Sequence, residues 1–228
     1  MSGLALLDNI FWNALTGPHA RFAVGGGGAR RFAPGFPAML GFADPVHPDF
    51  EAIAPHCAAG EHFYTDGWAG DAPAGWRIDL ESTMRKMAWD GRAAPDDDAP
   101  DAVPLGAAHA EQAVALALLT NPGPFGPRNL DLGDYFGLFD GDRLVAMAGE
   151  RLAAGSMREV SAVCTHPDYQ GRGLARRLVD KVVRRQLARG ETPFLHVMTA
   201  NVRGHGLYLK LGFADYRQSV VRIVSRVE

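Results

Sequence analysis

The stretch that decides the fold reads VCTHPDYQGRGLA over residues 163–175. An apolar run ends before Pro167, and a loop with two glycines then leads directly into a segment of helical periodicity. Gly171 and Gly173 allow the backbone to turn tightly and to bring successive N–H groups close to one ligand. Because these N–H groups lie at the positive end of a helix dipole, the loop predicts a site for phosphate or pyrophosphate. It has neither the Lys-Ser/Thr pair of a P-loop nor the glycine spacing of the dinucleotide-binding fingerprint.

The segments around this loop predict an alternating α/β order. Apolar residues recur at helical spacing over residues 174–188, and the Ala/Leu-rich segment 107–120 ends at the stop signal Asn121-Pro122. The predicted strands cover residues 135–139, 144–151, 159–165, 193–199 and 216–224. With a short helix at 203–211 the order is β-β-β-α-β-α-β, in which the central strands run parallel around the long helix.

The first part of the chain differs in composition from the second. Residues 1–95 predict an N-terminal α+β lobe of undetermined fold, residues 96–104 an acidic, Pro-rich solvated linker, and residues 105–228 the α/β domain. The lobe contains twelve aromatic side chains, too many to remain exposed on a solvated tail. We therefore expect it to pack on the second part and to complete the substrate site. A separately folded, tethered lobe is the alternative.

Composition excludes several classes of protein. The chain has 228 residues, 47% of them hydrophobic, and a net charge of −3, so it is neither disordered nor strongly attracted to nucleic acid or an anionic membrane. Apolar runs fall short of the ~20 residues that span a bilayer, and two cysteines make no disulfide framework. The spacing of His56, Cys57 and His62 fits no common zinc pattern. We expect a cytoplasmic monomer or homodimer without a metal.

Two spaced motifs identify a resemblance to a known family. Residues 170–175 read Q-x-x-G-x-A, and Asn201 is followed seven residues later by Tyr208 and then by the LGF of residues 211–213. Together they resemble the Q/R-x-x-G-x-G/A loop and the second signature of the GNAT superfamily, the acyl-CoA-dependent N-acyltransferases. The resemblance covers residues 105–224. It implies a GNAT-like mixed sheet whose central parallel strands splay around a CoA site, and it allows a second, GNAT-like lobe before them.

The resemblance also implies a cosubstrate and its binding residues. Acetyl-CoA would lie on the loop, with its thioester carbonyl near the backbone N–H groups of residues 163–165. The implied CoA-binding residues are Val163, Cys164, Thr165, Gln170, Gly171, Arg172, Gly173, Leu174, Ala175, Arg176 and Asn201. This chain departs from the family in two places. His196, five residues before Asn201, stands where several relatives carry a glutamate as the base. Gly204-His205-Gly206 replaces helix-favouring residues between Asn201 and Tyr208, which predicts a short or mobile helix.

Three groups are candidates for the chemistry. Tyr208 resembles the family's general acid for the departing thiolate. The amine needs a base, for which His196 and Glu159 are candidates and a water chain is the alternative; histidine ordinarily titrates closest to neutral pH. Cys164 lies in the acyl region, but its alternation with Ala162 favours a buried strand thiol over a nucleophile.

The sequence therefore predicts an N-acetyltransferase that acts on a primary amine of a small molecule, amino acid or peptide by direct attack in a ternary complex. A GNAT-like module that binds acyl-CoA for regulation and turns over little is the alternative from another class. A transferase for longer acyl groups is a third hypothesis, which would require a wider acyl tunnel.

Overall fold

The computed structural model describes residues 3–227, and its backbone is organised around one large mixed sheet. The strands are β1 (Ala23–Val24), β2 (Ala29–Phe32), β3 (Leu40–Phe42), β4 (His62–Asp66), β5 (Trp76–Trp89), β6 (Val103–Pro104), β7 (Tyr135–Asp140), β8 (Arg143–Ala154), β9 (Met157–Thr165), β10 (Thr192–Met198) and β11 (Phe213–Arg226). The α-helices are α1 (Ile10–Thr16), α2 (Phe50–Ile53), α3 (Ala110–Thr120), α4 (Leu174–Ala188) and α5 (Val202–Leu211).

The large sheet has eight strands in the order β4-β11-β5-β10-β9-β8-β7-β6. β9 and β10 form a parallel pair near its centre, and the other neighbouring strands in the described sheet pair antiparallel. The apolar stripe of α4, which includes Leu178 and Val182, packs on one face. α1 packs on the opposite face through Ile10 and Phe11. This is the mixed α/β fold that the sequence predicted.

The parallel pair separates soon after it begins. Only residues 192–194 of β10 are paired with residues 157–159 of β9. Beyond Phe194, β10 continues along β5 as far as Met198, while β9 continues along β8 as far as Thr165. Ala162, at a register shift in β9, has a φ of 51°. A bulge at this point increases the local bend of the strand, and a gap opens between the two central strands.

The N-terminal residues belong to the same sheet as the rest of the chain. β5 lies between β10 and β11 and pairs with both, and β4 pairs with the outer edge of β11. Residues 96–104 therefore do not mark a boundary between two sheets. β5 precedes them in the chain, yet it lies inside the large sheet. β1, β2 and β3 form a separate, three-stranded sheet.

The acidic segment 96–104 is not a solvated linker, which corrects the prediction from its composition. Asp97 pairs with Lys181 of α4 at 2.8 Å, and Asp98 pairs with Arg176 at 3.0 Å. Ala99, the residue directly after these two aspartates, is fully buried. The carboxylates that repel one another in the sequence are neutralised by the basic face of α4, so the segment lies along that helix.

Several local predictions also change. β11 begins at Phe213 rather than at residue 216, and residues 76–89, within the predicted N-terminal lobe, form one long strand. α5 extends over ten residues despite its two glycines. Across residues 3–227, none of the helices combines the length and the apolar character needed to cross a membrane.

Candidate active site

Two cavities meet where β9 and β10 separate. The first, the loop groove, has a volume of about 390 Å³ and follows the glycine loop and the start of α4. The second, the inner cavity, has a volume of about 320 Å³ and is lined by N-terminal residues such as Phe11, by residues 159–163 of β9 and by residues 196–198 of β10. Val163, Asn201 and Tyr208 line both. Ligands bound in the two cavities would therefore approach each other at these three residues.

The loop groove has the backbone geometry that an anion requires. Gly171 and Gly173 have φ values of +78° and +75°, and open space surrounds the position of a Cβ at each. Gly173 caps α4, and the first N–H to bond back to its carbonyl is that of Arg177. The N–H groups of residues 174–176 are therefore left without partners within the helix. They lie at its positive end and line the groove.

Ten of the eleven residues implied to bind CoA line the loop groove; Arg172 does not. Its guanidinium lies over the ring of Tyr169 at 4.7 Å and donates to the carbonyl of Asp168. Arg176 lines the groove but is paired with Asp98, and Arg177 is paired with Asp101. The acidic segment thus neutralises part of the positive charge around the loop.

Asn201 and Gly204 together begin α5. The Asn201 side chain accepts a hydrogen bond from the Gly204 N–H at 2.8 Å, which is an N-cap. A Cβ on Gly204 would lie 2.6 Å from the Asn201 amide nitrogen, so this glycine makes room for the cap. The cap orients Asn201 at the junction of the two cavities.

The edge of β9 that faces the gap carries the predicted carbonyl-binding segment. Pairing with β10 ends at Glu159, and residues 163–165 line the loop groove. Cys164 is buried within this segment, and burial raises the pKa of its thiol to about 12. A thiol that remains protonated is a poor nucleophile, which agrees with the prediction of a structural cysteine.

The two rival base candidates are in direct contact. His196 Nδ1 lies 2.7 Å from Glu159 Oε1, and the His196 side chain is 8% exposed. Arg151 holds the same carboxylate from the other side, with Nη2 at 2.7 Å from Oε1 and Nε at 3.0 Å from Oε2. Phe11 and Phe194 pack edge-on against the imidazole. Arg151, Glu159 and His196, which we call the charge triad, all line the inner cavity.

The charge triad fixes the tautomer of a neutral His196. Burial would raise the pKa of Glu159, but the adjacent Arg151 and His196 lower it to about 2. The carboxylate is therefore ionised and only accepts hydrogen bonds, so the 2.7 Å contact requires a proton on Nδ1. Nε2 then carries the free lone pair. This nitrogen is buried and has no hydrogen-bond partner among the described residues.

Tyr208 presents a hydroxyl that remains protonated. Burial raises the pKa of Tyr208 to about 12, with a smaller contribution from nearby Cys164. At neutral pH the side chain is a hydrogen-bond donor at the junction of the groove and the cavity.

Sequence reasoning did not identify Arg151 or the N-terminal lining residues. Arg151 was visible as a charged residue in an apolar strand, since Glu150 and Arg151 interrupt the otherwise apolar residues 144–154. Such residues are rarely buried without a partner. Phe11, Met39 and Met84 carry no such local signal.

The mixed sheet opens at a central parallel pair, and a glycine loop and a helix N-terminus lie beside the opening. This arrangement defines the class of the protein as mixed α/β with a cleft at the central strands. A family model described as FR47-like protein matches residues 135–222. A GNAT-family protein from Novosphingobium aromaticivorans is 33% identical and superposes with a TM-score of 0.87, covering 97% of this chain and 99% of that one. The chain belongs to the GNAT superfamily of acyltransferases.

More distant structures share the fold. A GCN5-related N-acetyltransferase from Kribbella flavida has a TM-score of 0.64 at 17% identity, over 99% of this chain and 96% of that one. A GCN5-related N-acetyltransferase-like protein from Streptococcus suis has a TM-score of 0.62 at 17% identity, over 98% of both chains. These alignments include the N-terminal residues. No curated protein sequence matches the chain significantly.

Replacing Arg151 by Met should destabilise the protein by ~3–5 kcal/mol at pH 8, because it leaves a buried carboxylate without its cation. Burial would then raise the pKa of Glu159 above its unfolded value. The folded variant would then bind a proton on Glu159 more tightly than the unfolded chain does. The loss in the free energy of unfolding should therefore be smaller at pH 5 than at pH 8. Urea unfolding at both pH values measures this. Arg158→Met is the matched control, since Arg158 forms a more exposed pair with Glu191 and should cost less than ~1 kcal/mol. Equal losses for the two variants would contradict the assignment.

Proposed function

We propose that this GNAT acyltransferase is an N-acetyltransferase that moves the acetyl group of acetyl-CoA to a primary amine by direct attack in a ternary complex. The observation that supports this most strongly is the junction of two cavities at Val163, Asn201 and Tyr208. A phosphate-type groove lies on one side of the junction. On the other side lies a cavity in which His196 has a free Nε2.

The residues of the loop groove fit a CoA ligand. The unpartnered N–H groups at the start of α4 and the open space at Gly171 and Gly173 suit a pyrophosphate. Asn201, held by its cap, would contact the arm that leads to the thioester. When bound, acetyl-CoA supplies a thioester whose carbonyl carbon is the electrophile.

In the proposed mechanism His196 is the base. Its Nε2 accepts a proton from the attacking amine, and the resulting imidazolium is stabilised by Glu159, whose oxygen already holds Nδ1–H. Arg151 keeps that carboxylate ionised and oriented. Glu159 itself is unsuited to be the base, because a carboxylate with a pKa of about 2 takes up almost no proton at neutral pH.

Two further groups stabilise charge that develops during transfer. Backbone N–H groups of residues 163–165 polarise the carbonyl oxygen, as preorganised donors do in oxyanion sites. Tyr208 donates a hydrogen bond to the departing sulfur. Full proton transfer from a phenol with a pKa of about 12 to a thiolate is unfavourable by a factor of about 10³, since thiols titrate near 8.5. Tyr208 thus acts as a hydrogen-bond donor while the C–S bond breaks, and CoA leaves as a thiolate that takes its proton from water.

The binding half of the proposal is tested by filling the loop groove. CoA should raise the melting temperature of the wild-type protein, and Gly173→Glu should abolish this rise by placing bulk and negative charge where the phosphates bind. Gly190→Glu is the matched control, because Gly190 also has a positive φ of +73° and open space but lies beyond the far end of α4. If both variants respond to CoA like the wild type, the phosphate site is elsewhere.

The catalytic half is tested with His196→Gln in an assay of thiol release from acetyl-CoA and a panel of primary amines. Loss of a general base should lower kcat by about 10²–10⁴-fold, while the CoA-induced rise in melting temperature should persist. His205→Gln is the control, since His205 pairs with Asp215 and lines neither cavity. An unchanged kcat would remove His196 from the mechanism. CoA binding with no turnover of any amine would favour the regulatory module.

A further inference from the structure

The wall of the inner cavity is more apolar than polar, and both halves of the chain contribute to it. Apart from the charge triad, its polar side chains, such as Tyr64, Asn121 and Ser161, are uncharged. Its apolar side chains include Phe11, Met39, Leu80, Met84, Val221 and Ile223. Four of these six precede residue 96. The charge triad and Tyr208 line the same cavity, and Phe11 packs directly against the His196 imidazole.

The charges in this wall cancel. Among the described residues that line the cavity, Arg151 and Glu159 are its cation and its carboxylate. The Glu159 carboxylate accepts two hydrogen bonds from Arg151, one from the Leu152 N–H at 3.1 Å and one from His196. These four bonds use the lone-pair positions that a carboxylate offers. Glu159 therefore has no free oxygen with which to hold an ammonium group of a substrate.

An acceptor with a second charge would be poorly solvated in this cavity. A charge transferred from water to an apolar wall loses its hydration and is tolerated only when a partner replaces it. The charge triad provides no such partner, because Arg151 and Glu159 already neutralise each other. An uncharged body, in contrast, gains by removing apolar surface from water.

The volume of the cavity indicates the size of the body that it can enclose. About 320 Å³ corresponds to roughly ten volumes of a liquid water molecule, each about 30 Å³. We propose that the acceptor is a primary monoamine with an uncharged, apolar body of up to about ten heavy atoms, such as an alkyl or arylalkyl amine. This class rests on the proposed acetyl transfer and narrows it, because polyamines and basic peptides fall outside it.

The test measures amine binding to the protein saturated with CoA, by calorimetry, and turnover with acetyl-CoA. Ethylamine, butylamine, hexylamine, 1,6-diaminohexane and 6-aminohexanoate form the panel. Affinity should rise by about fourfold for each methylene from ethylamine to hexylamine. The diamine and the amino acid should bind at least tenfold more weakly than hexylamine.

A single substitution at the rim should change this preference. Leu80 is 47% exposed and lines the cavity, so a polar residue is tolerated there without loss of the core. Leu80→Glu introduces a free carboxylate and should improve binding of 1,6-diaminohexane relative to hexylamine. Leu80→Gln is the uncharged control and should weaken hexylamine without improving the diamine.

The outcomes separate this inference from the proposed function. If hexylamine binds more tightly than the diamine and the amino acid but is not turned over, the result would support apolar monoamines as the ligands of the cavity and contradict acetyl transfer. Turnover that is fastest with the diamine or the amino acid would support acetyl transfer and overturn the acceptor class. Failure of every amine to bind would also overturn the acceptor class. If the protein then bound hexanoyl-CoA more tightly than acetyl-CoA, the inner cavity would be assigned to the acyl chain.

Discussion

The buried pair of Arg151 and Glu159 is the interaction on which the rest of the site depends. Two charges taken out of water are tolerated only when each satisfies the other, and here the pair bridges β8 and β9 beside the central gap. Because Glu159 is ionised and almost fully enclosed, it determines which nitrogen of His196 carries the proton. Because its charge is neutralised by Arg151, it leaves the inner cavity without a net charge. One ion pair thus bears on both the proposed chemistry and the proposed choice of acceptor.

The ion pair of Arg151 and Glu159 lies beside the gap that opens where β9 separates from β10. After three paired residues the two strands diverge, β9 through its bulge at Ala162 and β10 along β5. Strand alternation directs Leu195 and Val197 toward α4 and places Phe194 on the side of α1, where His196 packs against Phe11. The glycine loop and the start of α4 lie on the groove side of the same gap. The sheet therefore brings a phosphate-type site and a buried imidazole to opposite sides of one opening.

Sequence reasoning was most accurate where the physical signal is local. The glycine loop, the bounds of α4 and the strands β7 and β8 follow from turn chemistry and periodicity over a few residues. The position of β5 in the middle of the sheet could not be predicted, because pairing between strands over a hundred residues apart leaves no local pattern. The acidic segment was misassigned for a related reason: its composition is that of a solvated loop, and only the distant Lys181 and Arg176 neutralise it. His196 and Glu159 were identified as rivals, whereas their contact makes them partners.

The central claim, that an ionised Glu159 holds the proton of His196 on Nδ1 and leaves Nε2 free, is accessible to direct measurement. Nitrogen NMR of protein labelled with ¹⁵N-histidine, recorded at alkaline pH with His196→Gln to assign the signals, distinguishes the two ring nitrogens of the neutral imidazole. We expect a protonated Nδ1 and an unprotonated Nε2 in the wild-type protein, with this preference lost in Glu159→Gln. A neutral His196 that carries its proton on Nε2 in the wild-type protein would contradict it.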